Sequence, residues 1–417
     1  MENQSKSLMA SGAVKKVRKV PADNRMHGLD FLRIIFALLI VFGHYRVGAV
    51  DNGVFEGDPG PRVYNFIRFA VEMFFVLSGL LIAKSVKDRS YVNYMIARIV
   101  RITPALLFCA TITFAVAVIL ADTKWGVRAD WQHWLASVTV LPLLVNDTWG
   151  IDWPYWSLTY EFRFYFLAGF YMIFFKSERA LLIATAVWMA ASFFALVIDN
   201  VALQTLTVSR ASGCFAMGIM LHFITSVPRY RMQALIVMIP SLIVAQMSMM
   251  REAGIRHING DDFILYWPEA IGATLFMVIV IGAFVYVPMP KRADKALQLG
   301  GMMTYPLYLL HMFVGWVIIA KCAAHGMRID LAILTAMIVI VPIAVVISAW
   351  GEPFVGKYLK AALKSSTNAI EPHLPKALWK LLYTPQVKRR TPQPVAPSTA
   401  DVQPVLPVQA LAPDASR

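Results

Sequence analysis

The chain has 417 residues, of which 58% are apolar and 15% charged, and 39 Lys and Arg against 25 Asp and Glu leave a formal net charge of +14. Soluble globular proteins carry about a quarter charged residues, so this composition, with a mean hydropathy of +0.59, excludes an ordinary soluble enzyme and reads as a polytopic membrane protein. Three cysteines, Cys109, Cys214 and Cys322, lie inside apolar runs, and the eight His are scattered without ligand spacing. Neither a disulfide framework nor a metal site is expected. Basic residues that punctuate apolar spans read as topology signals, so no nucleic-acid partner is expected either.

Residues 1–28 are polar and basic (Lys6, Lys15, Lys16, Arg18, Lys19, Arg25) and lack the apolar stretch of a cleavable signal peptide. Ten apolar runs of bilayer-spanning length follow, at roughly 29–47, 64–85, 102–121, 156–175, 180–198, 211–227, 233–250, 268–288, 299–320 and 330–351. An eleventh run, 131–147, is shorter and carries His133 and Pro142. If it does not cross, 27 of the 39 Lys and Arg fall on one side, which the positive-inside rule makes the cytoplasm. The run is therefore expected to be a re-entrant or outer-surface helix, with both termini cytoplasmic. The expected fold is an all-α, polytopic membrane bundle of about ten transmembrane helices. Residues 29–354 form its integral membrane domain and 355–417 a cytoplasmic tail, disordered from about 384, where Pro, Ala and Gln dominate.

Ionisable residues at membrane depth are expensive and mark functional candidates. The first span holds Asp30, Arg33 and His44. Arg33 and His44 are eleven residues apart, which on an α-helix is about 20° past three full turns and a rise of about 16 Å, so they share a face at different depths. That spacing suits a long ligand with an anionic inner end and a reactive outer end, as in an acyl-CoA. The alternative is that Arg33 snorkels and His44 caps the span. The second span adds Arg68 and Glu72 at i and i+4, a pair that can neutralise itself, and Ser78-Gly79, a small pair permitting close backbone approach. Arg98 and Arg101 precede Pro104 and can clamp phosphates or signal topology. Glu161, in WPYWSLTYEFRFYF, is placed near the depth of His44, where a carboxylate could hold the imidazole tautomer; Trp153 and Trp156 read as an interfacial belt. Tyr305, Tyr308 and His311 mark the ninth span, where a His is either hydrogen-bonded core or a participant.

Taken in order, LDFLRIIFALLIVFGH, EMFFVLSGLLI, RIVRITP, WSLTYEFRFY, YPLYLLH and GEPF resemble the acyltransferase 3 family of integral membrane O-acyltransferases, over about residues 29–354. The resemblance implies transfer of an acyl group to surface polysaccharide, lipopolysaccharide or another glycan, with His44 catalytic, Glu161 an active-site carboxylate, and Arg33, Arg98 and Arg101 binding acyl-CoA. Family members commonly read WSLxxEEQFY, where this chain has Phe162 and Arg163 after Glu161. The expectation is a multi-pass protein of a bacterial inner membrane that moves an acyl group, acetyl foremost, from cytoplasmic acetyl-CoA or another acyl-CoA to a sugar hydroxyl outside. His44 serves as general base or as an acyl-accepting nucleophile. A transporter or flippase of an anionic or lipid-linked substrate, and a noncatalytic partner in polysaccharide assembly, are the competing readings.

Overall fold

The structure is a computed structural model that describes residues 27–58, 67, 69–85, 90–120, 125, 127–139, 150–174, 177–258 and 266–383. Among these residues there is no strand. Helices of bilayer length are the form in which a chain inside lipid can satisfy its backbone N–H and C=O groups locally. They are α1 (His27–Gly43), α2 (Ala70–Ser85), α3 (Tyr91–Leu120), α4 (Trp131–Thr139), α5 (Trp156–Phe174), α6 (Glu178–Val197) and α7 (Val201–Thr207). After these come α8 (Ser209–Ser226), α9 (Arg231–Ile258), α10 (Trp267–Phe284), α11 (Asp294–Ala324), α12 (Ile329–Val346), α13 (Glu352–Ile370) and α14 (Lys376–Tyr383).

The protein is an all-α polytopic helical bundle, with eight helical stretches long and apolar enough to cross a membrane among the described residues. The other two expected spans appear as α2, with 16 residues in its helix, and α5, which carries Glu161 and Arg163. The expected eleventh run begins as α4, whose nine residues extend about 14 Å, half a hydrocarbon core; residues 140–149 lie outside the described set.

One helix boundary differs from expectation. Helix α3 starts at Tyr91, so Pro104 lies inside it and Arg98 and Arg101 belong to the bundle rather than to a loop. The segment after 354 is helical in α13 and α14 as far as Tyr383, and α13 packs on α3, with Gly356 against Val100 and Gly351 against Phe108. Residues 384–417 lie outside the described set.

Helix directions follow from contacts at their ends. The starts of α1 and α11 are neighbours, His27 Nε2 lying 3.6 Å from Asp294 Oδ1, and the end of α1 meets the start of the next span at Gly43 and Ile67. Arg98 reaches back to Ser85 at the end of α2, and Tyr91 packs on Gly169 near the end of α5. So α1, α3 and α11 start, and α2 and α5 end, at one face, termed the near face.

Packing uses small residues, as expected where lipid tails remove the hydrophobic drive between helices. A Cβ on Gly79 or Gly218 would overlap the backbone of Phe215 or Val76, which brings α2 and α8 together. Helix α12 buries Ala332, Ala336, Ile340 and Ala344 and turns Leu331, Leu334 and Ile338 outward. The polar residues gather where α1, α2, α3, α5 and α11 converge.

Candidate active site

A cavity of about 140 Å³ lies among these five helices. Arg33, Ser78, Arg98, Arg101, Glu161, Tyr305 and Tyr308, seven of the residues singled out from sequence, line it. The rest of the lining is mainly apolar, including Val71, Phe74, Leu77, Ile82 and Leu158, with Ser157, Tyr165 and Thr304 among it.

Counting about 1.5 Å per residue from the near face, Arg33 and Arg98 stand at about 10 Å, Tyr305 at about 16 Å, Glu161 and Tyr308 at about 20 Å, and His44 and His311 at about 26 Å. The cationic residues thus occupy the near end and the histidines lie one helical turn beyond Tyr308. Arg33 is held by Asp30 at 3.3 Å, and Asp30 is buried against Gly301. Arg101 pairs with Glu352 at 2.9 Å. Arg98 lies against the rings of Tyr94 and Tyr165, 5.3 Å from each centroid. A guanidinium stacked on aromatic faces keeps its in-plane N–H groups available for hydrogen bonds.

His44 opens a π-helical turn, His44–Gly48, that continues α1; such turns interrupt the i to i−4 ladder and recur at functional positions. The indole Nε1 of Trp316 donates to the His44 carbonyl at 2.9 Å, tying the turn to α11. His44 Nδ1 lies 2.7 Å from His311 Nε2, and His311 Nδ1 lies 2.7 Å from the Tyr308 carbonyl. A carbonyl only accepts, so His311 Nδ1 is the donor there. Its Nε2 therefore accepts from His44 Nδ1–H, which leaves the lone pair of neutral His44 on Nε2.

The hydrogen-bond partner of His44 Nδ1 is thus His311, where Glu161 was expected to stand. The Glu161 carboxylate instead accepts from Ser78 Oγ at 3.3 Å and from the Tyr165 hydroxyl, both on Oε1. Glu72 stands on α2 within electrostatic reach of Cys214 and Tyr308, whereas Arg68 lies outside the described residues. Of the expected tryptophan belt, Trp153 is exposed, but Trp156 is half-buried under the Arg210 guanidinium, 4.0 Å from its centroid.

Sequence reasoning missed Tyr165 and Asp152. Tyr165 follows Glu161 by one turn, so the i, i+4 spacing carried the signal. Asp152 precedes Trp153-Pro154, the cap-then-proline pattern of a helix start, and its Oδ1 accepts from Trp153 N at 2.8 Å. Its Oδ2 accepts from Phe313 N at 3.1 Å, binding the loop ahead of α5 to α11 two residues past His311. Burial pushes this carboxyl up to about 7, against the pull of those two N–H bonds.

The fold and site define an integral membrane protein with a buried cavity lined by arginines at one end and a hydrogen-bonded imidazole pair one helical turn beyond it. Residues 26–351 match the acyltransferase domain of the acyltransferase 3 family, and the chain belongs to that family. It is 26% identical over 187 residues to the O-acetyl transferase of Shigella phage Sf6, an alignment covering 41% of this chain and 53% of the phage protein. The chain thus spans about half the length of that relative. No solved structure matches.

Proposed function

We propose that the protein is a membrane O-acyltransferase that moves an acyl group, acetyl foremost, from a cytoplasmic acyl-CoA to a sugar hydroxyl of an exopolysaccharide, lipopolysaccharide or other glycan at the outer side of a bacterial inner membrane. The observation that carries this reading is the hydrogen-bonded His44–His311 pair one turn beyond an arginine-lined cavity. The name of the phage relative, O-acetyl transferase, supports oxygen as acceptor and acetyl as cargo. The placing of 27 of the 39 Lys and Arg on the side of both termini supports a cytoplasmic near face.

In this reading Arg33, Arg98 and Arg101 hold the phosphates of the donor by charge-assisted hydrogen bonds, and the arm extends along the cavity towards His44. His44 Nε2 takes the proton of the acceptor hydroxyl as its oxygen attacks the thioester carbonyl. The C–S bond breaks as the tetrahedral intermediate collapses, and the imidazolium returns the proton to the thiolate, so acyl ester and free CoA leave. His311 accepts from Nδ1 throughout and keeps the lone pair of His44 aimed outward, while apolar walls exclude water that would hydrolyse the thioester.

The test is thiol release from acetyl-CoA by the purified protein in lipid nanodiscs, with and without an envelope glycan extract, wild type against His44→Ala. Acceptor-dependent release that the substitution abolishes is the expected result. Acceptor-independent thioester loss would replace the base mechanism by an acyl-histidine step. Folded protein that releases no thiol from any acyl-CoA, yet moves an anionic or lipid-linked substrate across the bilayer, would make it a transporter.

A further inference from the structure

Three polar atoms on residues that line the cavity have hydrogen-bonding capacity that the described residues do not use. Among the described residues, both hydrogen bonds to Glu161 fall on Oε1, and none reaches Oε2. The Tyr305 hydroxyl and Arg98 Nε are shielded from solvent and have no hydrogen-bond partner among the described residues. All three residues line the same space, and Tyr305 and Glu161 lie within electrostatic reach of one another. Buried polar groups are ordinarily satisfied, so a shielded donor and an open acceptor on residues lining one cavity point to a ligand that completes them.

Tyr305 and Glu161 stand about 6 to 10 Å above the Arg98 level and about 6 to 10 Å below the histidines, by helical rise. A ligand touching all three levels carries an anion, then a group that offers both a carbonyl and an N–H, then a reactive terminus. Phosphate, secondary amide and thioester in that order describe the pantetheine arm of an acyl-CoA. An acyl phosphate is too short to span the three levels, and an acylated glycerolipid has no amide.

We propose that Glu161 and Tyr305 form a subsite for a secondary amide of the pantetheine arm, the Tyr305 hydroxyl donating to the amide carbonyl and Glu161 Oε2 accepting from its N–H. The inference rests on acyl-CoA being the donor, as argued above, and assigns Glu161 to donor recognition rather than to the chemical step. Tyr165 couples this subsite to the phosphate end, since its hydroxyl donates to Glu161 while its ring lies against the Arg98 guanidinium. Ser78 and Tyr165 both donate to Oε1, so in Glu161→Gln the amide oxygen must take that place and the NH₂ turns into the cavity. A donor then faces the substrate N–H, and an ester oxygen, which only accepts, fits better than the amide.

The experiment compares acetyl-CoA with an analogue in which the amide nearest the sulfur is replaced by an ester, using the full chain in nanodiscs. Turnover of both donors is measured together with equilibrium binding of free CoA and its ester analogue. Wild type is expected to favour the amide donor about tenfold in kcat/KM and in binding, and Glu161→Gln to abolish or invert that preference. Tyr305→Phe is expected to raise KM several-fold with kcat within about threefold. Equal loss on both donors through kcat in Glu161→Gln, or no amide preference in the wild type, would overturn the proposal; the latter comparison needs no variant to fold. Turnover without amide preference leaves the transferase standing and removes the subsite. Binding preference without turnover does the reverse.

Discussion

At the near end of the site the polar groups are guanidinium ions, two of them steadied by carboxylates and one by aromatic faces; at its far end, one turn beyond the cavity, they are two imidazoles ordered by a backbone carbonyl. The near end works by charge, which acts over several ångströms and tolerates displacement. The far end works by a chain of donors and acceptors in which each atom has one role. Loss of one cation should therefore weaken the near end by degrees, while loss of one nitrogen should disable the far end.

Predictions that break this contrast run from the far end to the near end. His44→Ala is expected to lower acetyl-CoA turnover about 1000-fold with the donor still bound, measured by thiol release and by CoA binding. His311→Ala should cost about 100-fold in kcat with KM nearly unchanged. His311→Gln should recover part of it, because an amide oxygen can accept from His44 Nδ1; equal loss in both variants would show that His311 does more than order its partner. At the near end, Arg98→Gln should raise the KM for acetyl-CoA about tenfold while kcat stays within threefold, with wild-type KM rising at high salt. A kcat collapse in Arg98→Gln would erase the contrast between the two ends.

The smallest effect concerns the loop that supports the far end. Asp152, pushed up to about 7 by burial, keeps its proton in the folded protein at pH values where the unfolded chain has lost it. Its contribution to stability therefore falls as pH rises from about 4 through 7 and is level above. Thermal melts in nanodiscs should show that slope in the wild type and a flatter one in Asp152→Asn, which should also melt lower by an amount equivalent to about 1 to 3 kcal/mol because its NH₂ faces a backbone N–H. An unchanged slope would locate the titrating group elsewhere.

The helices around the site were legible because most polar candidates interrupt an apolar span, and five of those interruptions, Arg33, Ser78, Glu161, Tyr305 and Tyr308, line one cavity. The legible part ended at pairings. Glu161 was expected to serve His44, being placed near its depth, while His311 was read as hydrogen-bonded core or a participant without a named partner. Only the packing of α1 along α11, and the π-turn that presents His44 there, brings His311 Nε2 rather than a carboxylate oxygen to the imidazole. Likewise Arg98 and Arg101 read equally as a phosphate clamp or a topology signal ahead of the span, because the polar stretch before Ile102 hides a helix that starts at Tyr91 and is covered by α13.

What the sequence determined by itself is the solvent: a chain 58% apolar must form membrane helices, and those helices must turn their charged residues towards each other. That requirement is local, so helix number, family motifs and the inventory of reactive side chains can all be read along the chain. Which of those side chains meet is decided by contacts between residues as far apart as His44 and His311, 267 positions in sequence. Such contacts depend on where glycines let helices close and where proline and π-turns shift their registers, and they exist only in the packed bundle.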